Sequence, residues 1–234
     1  MRHSGEKRSI LLVESPALWQ SVGMKQILAD SRLYGIVDMG YTTPEQILPR
    51  TEALIAGGVR VIQLRAKGVE LSLVRRWAIE MQAVCREQGA LFVLNDYPDM
   101  AAEIQADAVH VGQDAGPLDA VRRIVGPGVI VGRSTHSLEQ VVQARKEGAD
   151  YIGFGPLYPT GTKPGRPSIG LSDIPAAMAE AGDMPLFCIG GINATTLPDV
   201  LKAGARRVVI VSWLLGQENI AQTAADVIRR IRQA

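Results

Sequence analysis

The chain of 234 residues carries 25 Lys and Arg against 24 Asp and Glu, a formal net charge of +1, and is 47% hydrophobic and 21% charged. That balance argues against a nucleic-acid-binding stripe or a polybasic membrane anchor, and the composition excludes a disordered chain. No apolar run approaches the roughly 18 residues that span a bilayer, and a globular chain of this size buries about 70–75% of its unfolded surface.

Residues 1–9 are polar and charged, whereas 15–29 carry the spacing of one modest amphipathic helix. Residues 1–31 are therefore read as a partly helical N-terminal extension ahead of a unit spanning 32–234. Short apolar β-type runs then recur at 33–37, 59–64, 91–94, 108–111, 129–131, 151–154, 186–189 and 208–211. Between them, helical spacing is predicted over 44–56, 71–88, 118–125, 138–147, 172–181 and 195–203, with a short, weak segment at 98–104. Gly57-Gly58, Gly89, Gly148 and Gly204 sit just before the next run, where a left-handed helix cap costs glycine little. Parallel neighbours need crossovers, and eight strand–helix units close naturally into a single α/β (β/α)8 barrel. The alternative, an open doubly wound sheet, usually has fewer strands. Cys85 and Cys188 lie far apart without metal-ligand spacing, so buried free thiols and a reducing, cytoplasmic compartment are expected.

A barrel of this kind carries its chemistry at the C-terminal ends of its strands. There the sequence offers Gln63, Arg65 and Lys67 after the second run, and Asn95 and Asp96 after the third. The fourth run is followed by Gln113 and Asp114, the fifth by Arg133, Ser134 and His136, and the sixth by Thr160, Thr162 and Lys163. Period-two geometry points Gln63, Arg65 and Lys67 to one side, and two inward cations with no acidic residue between them call for an anion. Lys163 adds a third cation on a long loop, 156–170, expected to act as a lid. Gly190 and Gly191 open a backbone approach to phosphate after the seventh run, and Ser212 adds a hydroxyl after the eighth. Asp96 is suited to Mg²⁺. His110 and His136 read as hydrogen-bonded supports rather than metal ligands, since no partner His or Cys stands at metal spacing. The chain has neither a Gly-x-Ser-x-Gly elbow nor a P-loop, which removes covalent hydrolysis and ATP hydrolysis.

The ordered segments Leu-Tyr-Gly-Ile-Val-Asp (33–38), Gln-Leu-Arg-Ala-Lys (63–67), Asn-Asp (95–96), His-Val-Gly-Gln-Asp (110–114), Gly-Arg-Ser-Thr-His-Ser (132–137), Gly-Pro-Leu-Tyr-Pro-Thr-Gly-Thr-Lys (155–163) and Ile-Gly-Gly-Ile (189–192) jointly resemble the thiamine-phosphate synthase family, from about Arg32 to the C-terminus. The resemblance implies a transferase of thiamine biosynthesis. It would join 4-amino-2-methyl-5-hydroxymethylpyrimidine diphosphate to 4-methyl-5-(2-phosphoethyl)thiazole and release pyrophosphate. It further implies that Gln63 and Ser134 face the pyrimidine and that Arg65, Lys67, Asn95 and Lys163 hold the diphosphate. Asp96 would bind Mg²⁺, with Asp114 as a second candidate ligand. Thr160, Thr162, Gly191, Val211 and Ser212 would surround the thiazole phosphate. Partners are then small phosphates and diphosphates, with no nucleic acid and no membrane; a homo-oligomer is compatible with the sequence. Two positions depart from the family pattern: Ala66 replaces a common Glu, and Ala115 replaces a second metal-binding Asp. The related thiazole tautomerases share the Gly-Arg-Ser-x-His-Ser run but carry their catalytic His where this chain has Pro156. A barrel that binds thiazole or pyrimidine phosphates without turning them over is the remaining alternative, motivated by Ala115.

Overall fold

The computed structural model describes residues 16–161 and 167–234. Eight parallel strands, each paired with the next and β8 with β1, close into a barrel. They are β1 (Leu33–Asp38), β2 (Val61–Arg65), β3 (Leu91–Asn95), β4 (Ala108–Val111), β5 (Ile130–Thr135), β6 (Tyr151–Phe154), β7 (Leu186–Ile189) and β8 (Val208–Ile210). The helices are α1 (Pro16–Asp30), α2 (Ile47–Ala56), α3 (Leu71–Glu87), α4 (Pro98–Glu103), α5 (Leu118–Val125), α6 (Leu138–Lys146), α7 (Ile174–Ala181), α8 (Leu197–Lys202), α9 (Ser212–Leu215) and α10 (Ile220–Gln233). The eight-strand expectation and the barrel therefore hold.

Alternation along each strand sorts side chains into two cores. Ile62, Leu64, Phe92 and Leu94 point outward into the layer beneath the helices, while Tyr34, Val61, Val93, Tyr151 and Phe187 fill the barrel interior. Leu28 of α1 is also buried in the interior cluster. Lys25 pairs with Asp150 at 2.9 Å, and Arg207 donates to the Ala29 carbonyl at 2.8 Å. Both contacts lie just before β6 and β8, so α1 covers the N-terminal mouth, opposite the ends that carry the polar motifs.

Most boundaries shift by a residue or two, and three differences have a physical reason. The predicted helix 44–56 begins as a 3₁₀ turn, Pro44–Gln46, because Thr43 and Gln46 form a capping box and Pro44 starts the turn. Strand β5 runs on to Thr135, past the end of its apolar stretch, because Ser134 faces inward and pairs in register with Gly153. After β8 the chain forms α9 and α10, where no helix was expected. The apolar residues Ile220, Ala224, Val227 and Ile231 recur at helical spacing and are the buried stripe of α10. Cys85 and Cys188 are both free and buried, and burial pushes each thiol up to about 12. No helix among the described residues is long and apolar enough to cross a membrane.

Candidate active site

The C-terminal ends of the strands open into one cavity of about 560 Å³. Of the sequence-predicted residues, Gln63, Arg65, Asn95, Ser134, Thr160, Gly191, Val211 and Ser212 line it. Gln63, Asn95 and Ser134 come from strands β2, β3 and β5. Thr160, Gly191, Val211 and Ser212 come from the segments following β6, β7 and β8. Lys67, Asp96 and Asp114 stand outside the lining: Lys67 is half-exposed, Asp96 partly exposed, and Asp114 exposed on the 3₁₀ turn Gln113–Ala115. Thr162 and Lys163 lie outside the described residues, so that of the expected lid, 156–170, only 156–161 and 167–170 are described.

Gln63 is buried and reaches both neighbouring strands. Its Nε2 donates to Asn95 Oδ1 at 3.3 Å, and its Oε1 accepts from Tyr34 at 2.8 Å. Ser134 Oγ lies 3.0 Å from His110 Nε2, and His110 Nδ1 lies 3.1 Å from the Tyr151 hydroxyl. Burial pushes the phenols of Tyr34 and Tyr151 well above their ordinary value, so both hold their protons at neutral pH. Neither tyrosine was singled out in the sequence as a site residue. Each occupies an apolar run in which an aromatic reads as core.

Although no acidic residue stands between Arg65 and Lys67 in the sequence, both cations have acidic partners from outside that segment. Arg65 Nη1 donates to both carboxylate oxygens of Asp38, at 3.0 and 2.8 Å, and Asp38 is buried. The acid comes from the adjacent strand, where Asp38 stands in register with Arg65. Lys67 pairs with Asp96 at 3.1 Å. Arg133, between two inward residues, turns outward and donates to the Gly116 and Gln113 carbonyls. His136 contacts the Gly155 carbonyl through Nδ1, and its backbone N–H donates to Gln140 Oε1 at 2.8 Å.

Asp96 and Tyr97 both adopt left-handed backbone, with φ of 58° and 54°. Two consecutive non-glycine residues there cost about 1–3 kcal/mol each, strain that clusters at functional sites. Asp96 Oδ2 accepts from Asn95 Nδ2 at 2.9 Å. Among the described residues no three His, Cys, Asp or Glu side chains gather as a metal site. The protein thus offers one or two hard carboxylates at this end of the barrel, a donor set that suits Mg²⁺ when substrate phosphates and water complete the shell.

Gly191 has φ of 66°, and a Cβ there would lie 2.6 Å from Cβ of Tyr158. Glycine therefore lets the segment after β7 pack on the segment after β6, where the Leu157 N–H donates to the Ile189 carbonyl at 2.9 Å. That packing brings Thr160 and Gly191 to one cavity. Asn193, Thr195 and Trp213 also line it, although the sequence reading passed over them.

A barrel with two polar sectors around one mouth admits many phosphate chemistries, and comparison with known proteins narrows them. Thiamine-phosphate synthase of Acidothermus cellulolyticus is 44% identical over 213 residues, covering 90% of this chain and all of that protein. The synthase of Mycolicibacterium vanbaalenii is 51% identical over 184 residues, covering 75% of this chain and 79% of that one. The solved thiamine phosphate pyrophosphorylase of Pyrococcus furiosus superposes with a TM-score of 0.75 at 30% identity, covering 91% of this chain and 98% of that one. Residues 33–214, which include every predicted site residue, match the family described as thiamine monophosphate synthase, and the chain belongs to that family.

Proposed function

We propose that this member of the thiamine monophosphate synthase family is a thiamine-phosphate synthase that divides its cavity between its two substrates. Strands β2, β3 and β5 hold 4-amino-2-methyl-5-hydroxymethylpyrimidine diphosphate, and the segments after β6, β7 and β8 hold 4-methyl-5-(2-phosphoethyl)thiazole. The observation that carries this reading is that Gln63, Asn95 and Ser134 share one 560 Å³ cavity with Thr160, Gly191, Val211 and Ser212. In this reading Gln63 and Ser134 orient the pyrimidine ring, while Arg65, Lys67, Asn95 and Lys163 hold the diphosphate. Thr160, Thr162, Gly191, Val211 and Ser212 take the thiazole phosphate.

The C–O bond between the pyrimidine methylene and the diphosphate breaks with its electron pair on the departing oxygen. Arg65 and Lys67 balance that developing charge, and Asp38 keeps the Arg65 guanidinium aimed while the diphosphate arrives. The electron-rich ring spreads the charge of the methylene cation. The thiazole nitrogen then gives its lone pair to that carbon, forming the C–N bond, and pyrophosphate leaves. No protein nucleophile is needed; fixed orientation and exclusion of water supply much of the rate. Asp96, with Asp114 as second candidate, would hold a Mg²⁺ ion, whose chemistry is to stabilise negative charge on the leaving diphosphate. Pro156 has no proton to shuttle, which supports group transfer over tautomerisation.

The same reading makes the protein a cytoplasmic enzyme of small phosphates, with residues 1–31 as an extension ahead of the catalytic unit 32–234. Isothermal titration of the pyrimidine diphosphate tests it. The expected result is binding that tightens with Mg²⁺ and weakens in Ser134→Ala and Asn95→Ala. Equal affinity with and without the metal and in both variants would remove the assignment.

A further inference from the structure

Seven side chains from β1 to β6 join into one unbroken row. Asn95 Nδ2 donates to Asp96 Oδ2 at 2.9 Å, Gln63 Nε2 to Asn95 Oδ1 at 3.3 Å, and the Tyr34 hydroxyl to Gln63 Oε1 at 2.8 Å. The row continues through Tyr34 to Tyr151 at 3.1 Å, Tyr151 to His110 Nδ1 at 3.1 Å, and His110 Nε2 to Ser134 Oγ at 3.0 Å. Phe187 packs edge-on against both tyrosine rings, with centroids 5.4 and 6.1 Å away, and holds them in place.

Donor and acceptor counting fixes the sense of every bond. A carboxylate only accepts, and Asp96 is ion-paired with Lys67, so Asn95 must turn its NH₂ toward it and its carbonyl toward Gln63. Gln63 must then spend an N–H on Asn95 and offer its carbonyl to Tyr34. A phenol has one proton, and both tyrosines keep theirs because burial raises their pKa. Tyr34 has given its proton to Gln63, so it accepts from Tyr151; Tyr151 in turn accepts from His110 Nδ1–H. With a neutral imidazole, His110 Nε2 is then left as an acceptor, and the Ser134 hydroxyl proton points at it.

We propose that Tyr34, Tyr151 and His110 are positioning residues that transmit this polarity from Asp96 to Ser134. His110 is thereby held as the Nδ1–H tautomer, and Ser134 Oγ meets the cavity as an acceptor for an amine N–H. This rests on the reading that the aminopyrimidine lies against Ser134, and it makes the row a specificity device. A ring bearing an amino group finds an acceptor, whereas a ring bearing an oxo group in that place meets a second acceptor. Sites built to match a polar group in this way reject mismatched analogues strongly, since a buried group is left unpaired.

Two readouts test the row. The first is the ¹⁵N NMR spectrum of His110 in the ligand-free protein at about pH 8, above the ordinary imidazole range, with the signal assigned by its loss in His110→Asn. Nδ1–H is expected in the native chain. In Tyr34→Phe, the Tyr151 proton loses its acceptor and turns to His110 Nδ1, so the tautomer should reverse to Nε2–H. In Tyr151→Phe, which also guards against a Tyr34 variant that fails to fold, a mixture is expected. The second readout is the ratio of kcat/KM for the amino pyrimidine diphosphate to that for its oxo analogue. It should fall about tenfold in Tyr34→Phe, with KM for the thiazole phosphate unchanged. A native Nε2–H tautomer, or a tautomer untouched by both tyrosine variants, would overturn the proposal. Because the NMR arm needs no turnover, a protein with the expected tautomers but no activity would count against the assigned reaction and not against the row.

Discussion

A Cβ at position 132 would lie 2.1 Å from Cζ of Tyr151, so the glycine of β5 and the tyrosine ring of β6 share one space inside the barrel. Gly132 and Tyr151 are register partners, and the missing side chain of one is filled by the ring of the other. Gly132→Ala should therefore overpack the interior, costing about 1–3 kcal/mol, and should displace the Tyr151 hydroxyl from His110. Thermal unfolding and kcat measured on the same preparation would check it: both should fall. A variant with native Tm and native kcat would mean that the ring has room elsewhere.

Asp38 and Arg65 offer a second test. Removing one partner of a buried pair is destabilising, and Asp38→Asn, which takes the bidentate carboxylate from Arg65, should cost about 3 kcal/mol in denaturant unfolding. If Arg65 holds the diphosphate as proposed, the variant should also raise KM for the pyrimidine diphosphate more than KM for the thiazole phosphate, because the lost contact aims that guanidinium. Equal changes in both KM values would make the pair purely structural.

Much of this site could be read in the sequence because its residues sit at strand ends, where period two and the barrel's polarity leave little freedom. Gln63, Asn95 and Ser134 were found that way. What connects them was not legible. Tyr34 and Tyr151 are 117 positions apart and lie in apolar runs, and only barrel closure brings their hydroxyls within 3.1 Å. Asp38 was visible as a residue, but its pairing with Arg65 depends on the register of β1 against β2. The end of β5 was missed because its last residues are polar, and α10 because the reading stopped at the eighth run although the apolar stripe was present. The roles of Thr162 and Lys163 rest on the sequence alone.

The Mg²⁺ assignment makes a quantitative demand. With alanine at position 115, the carboxylates available are Asp96 and Asp114. Ala115→Asp should lower the Mg²⁺ concentration for half-maximal rate, and Asp114→Asn should raise it, each by about tenfold if a hard oxygen ligand is gained or lost. A metal titration of initial rates decides the matter; no change in either variant would exclude this turn from the metal site.

Asp150 supplies a prediction about pH. Burial favours its protonated form, but the Val131 N–H at 2.9 Å, Lys25 and Arg122 outweigh burial and hold its carboxyl below the usual range. A depressed native pKa contributes stability that is present above the unfolded value and lost as pH falls through the native one. Asp150→Asn should therefore lower stability by about 2 kcal/mol at neutral pH. The difference from the native chain should shrink below about pH 4. Denaturant midpoints taken across that range would expose a constant gap, which is the contrary result.

The most direct measurement is turnover by the purified full chain given the pyrimidine diphosphate, the thiazole phosphate and Mg²⁺, with both products quantified. Thiamine phosphate and pyrophosphate should appear in equal amounts, and neither product when either substrate is withheld. Binding of both substrates by calorimetry without any product would contradict the proposed reaction and leave a phosphate-binding barrel in place of a synthase.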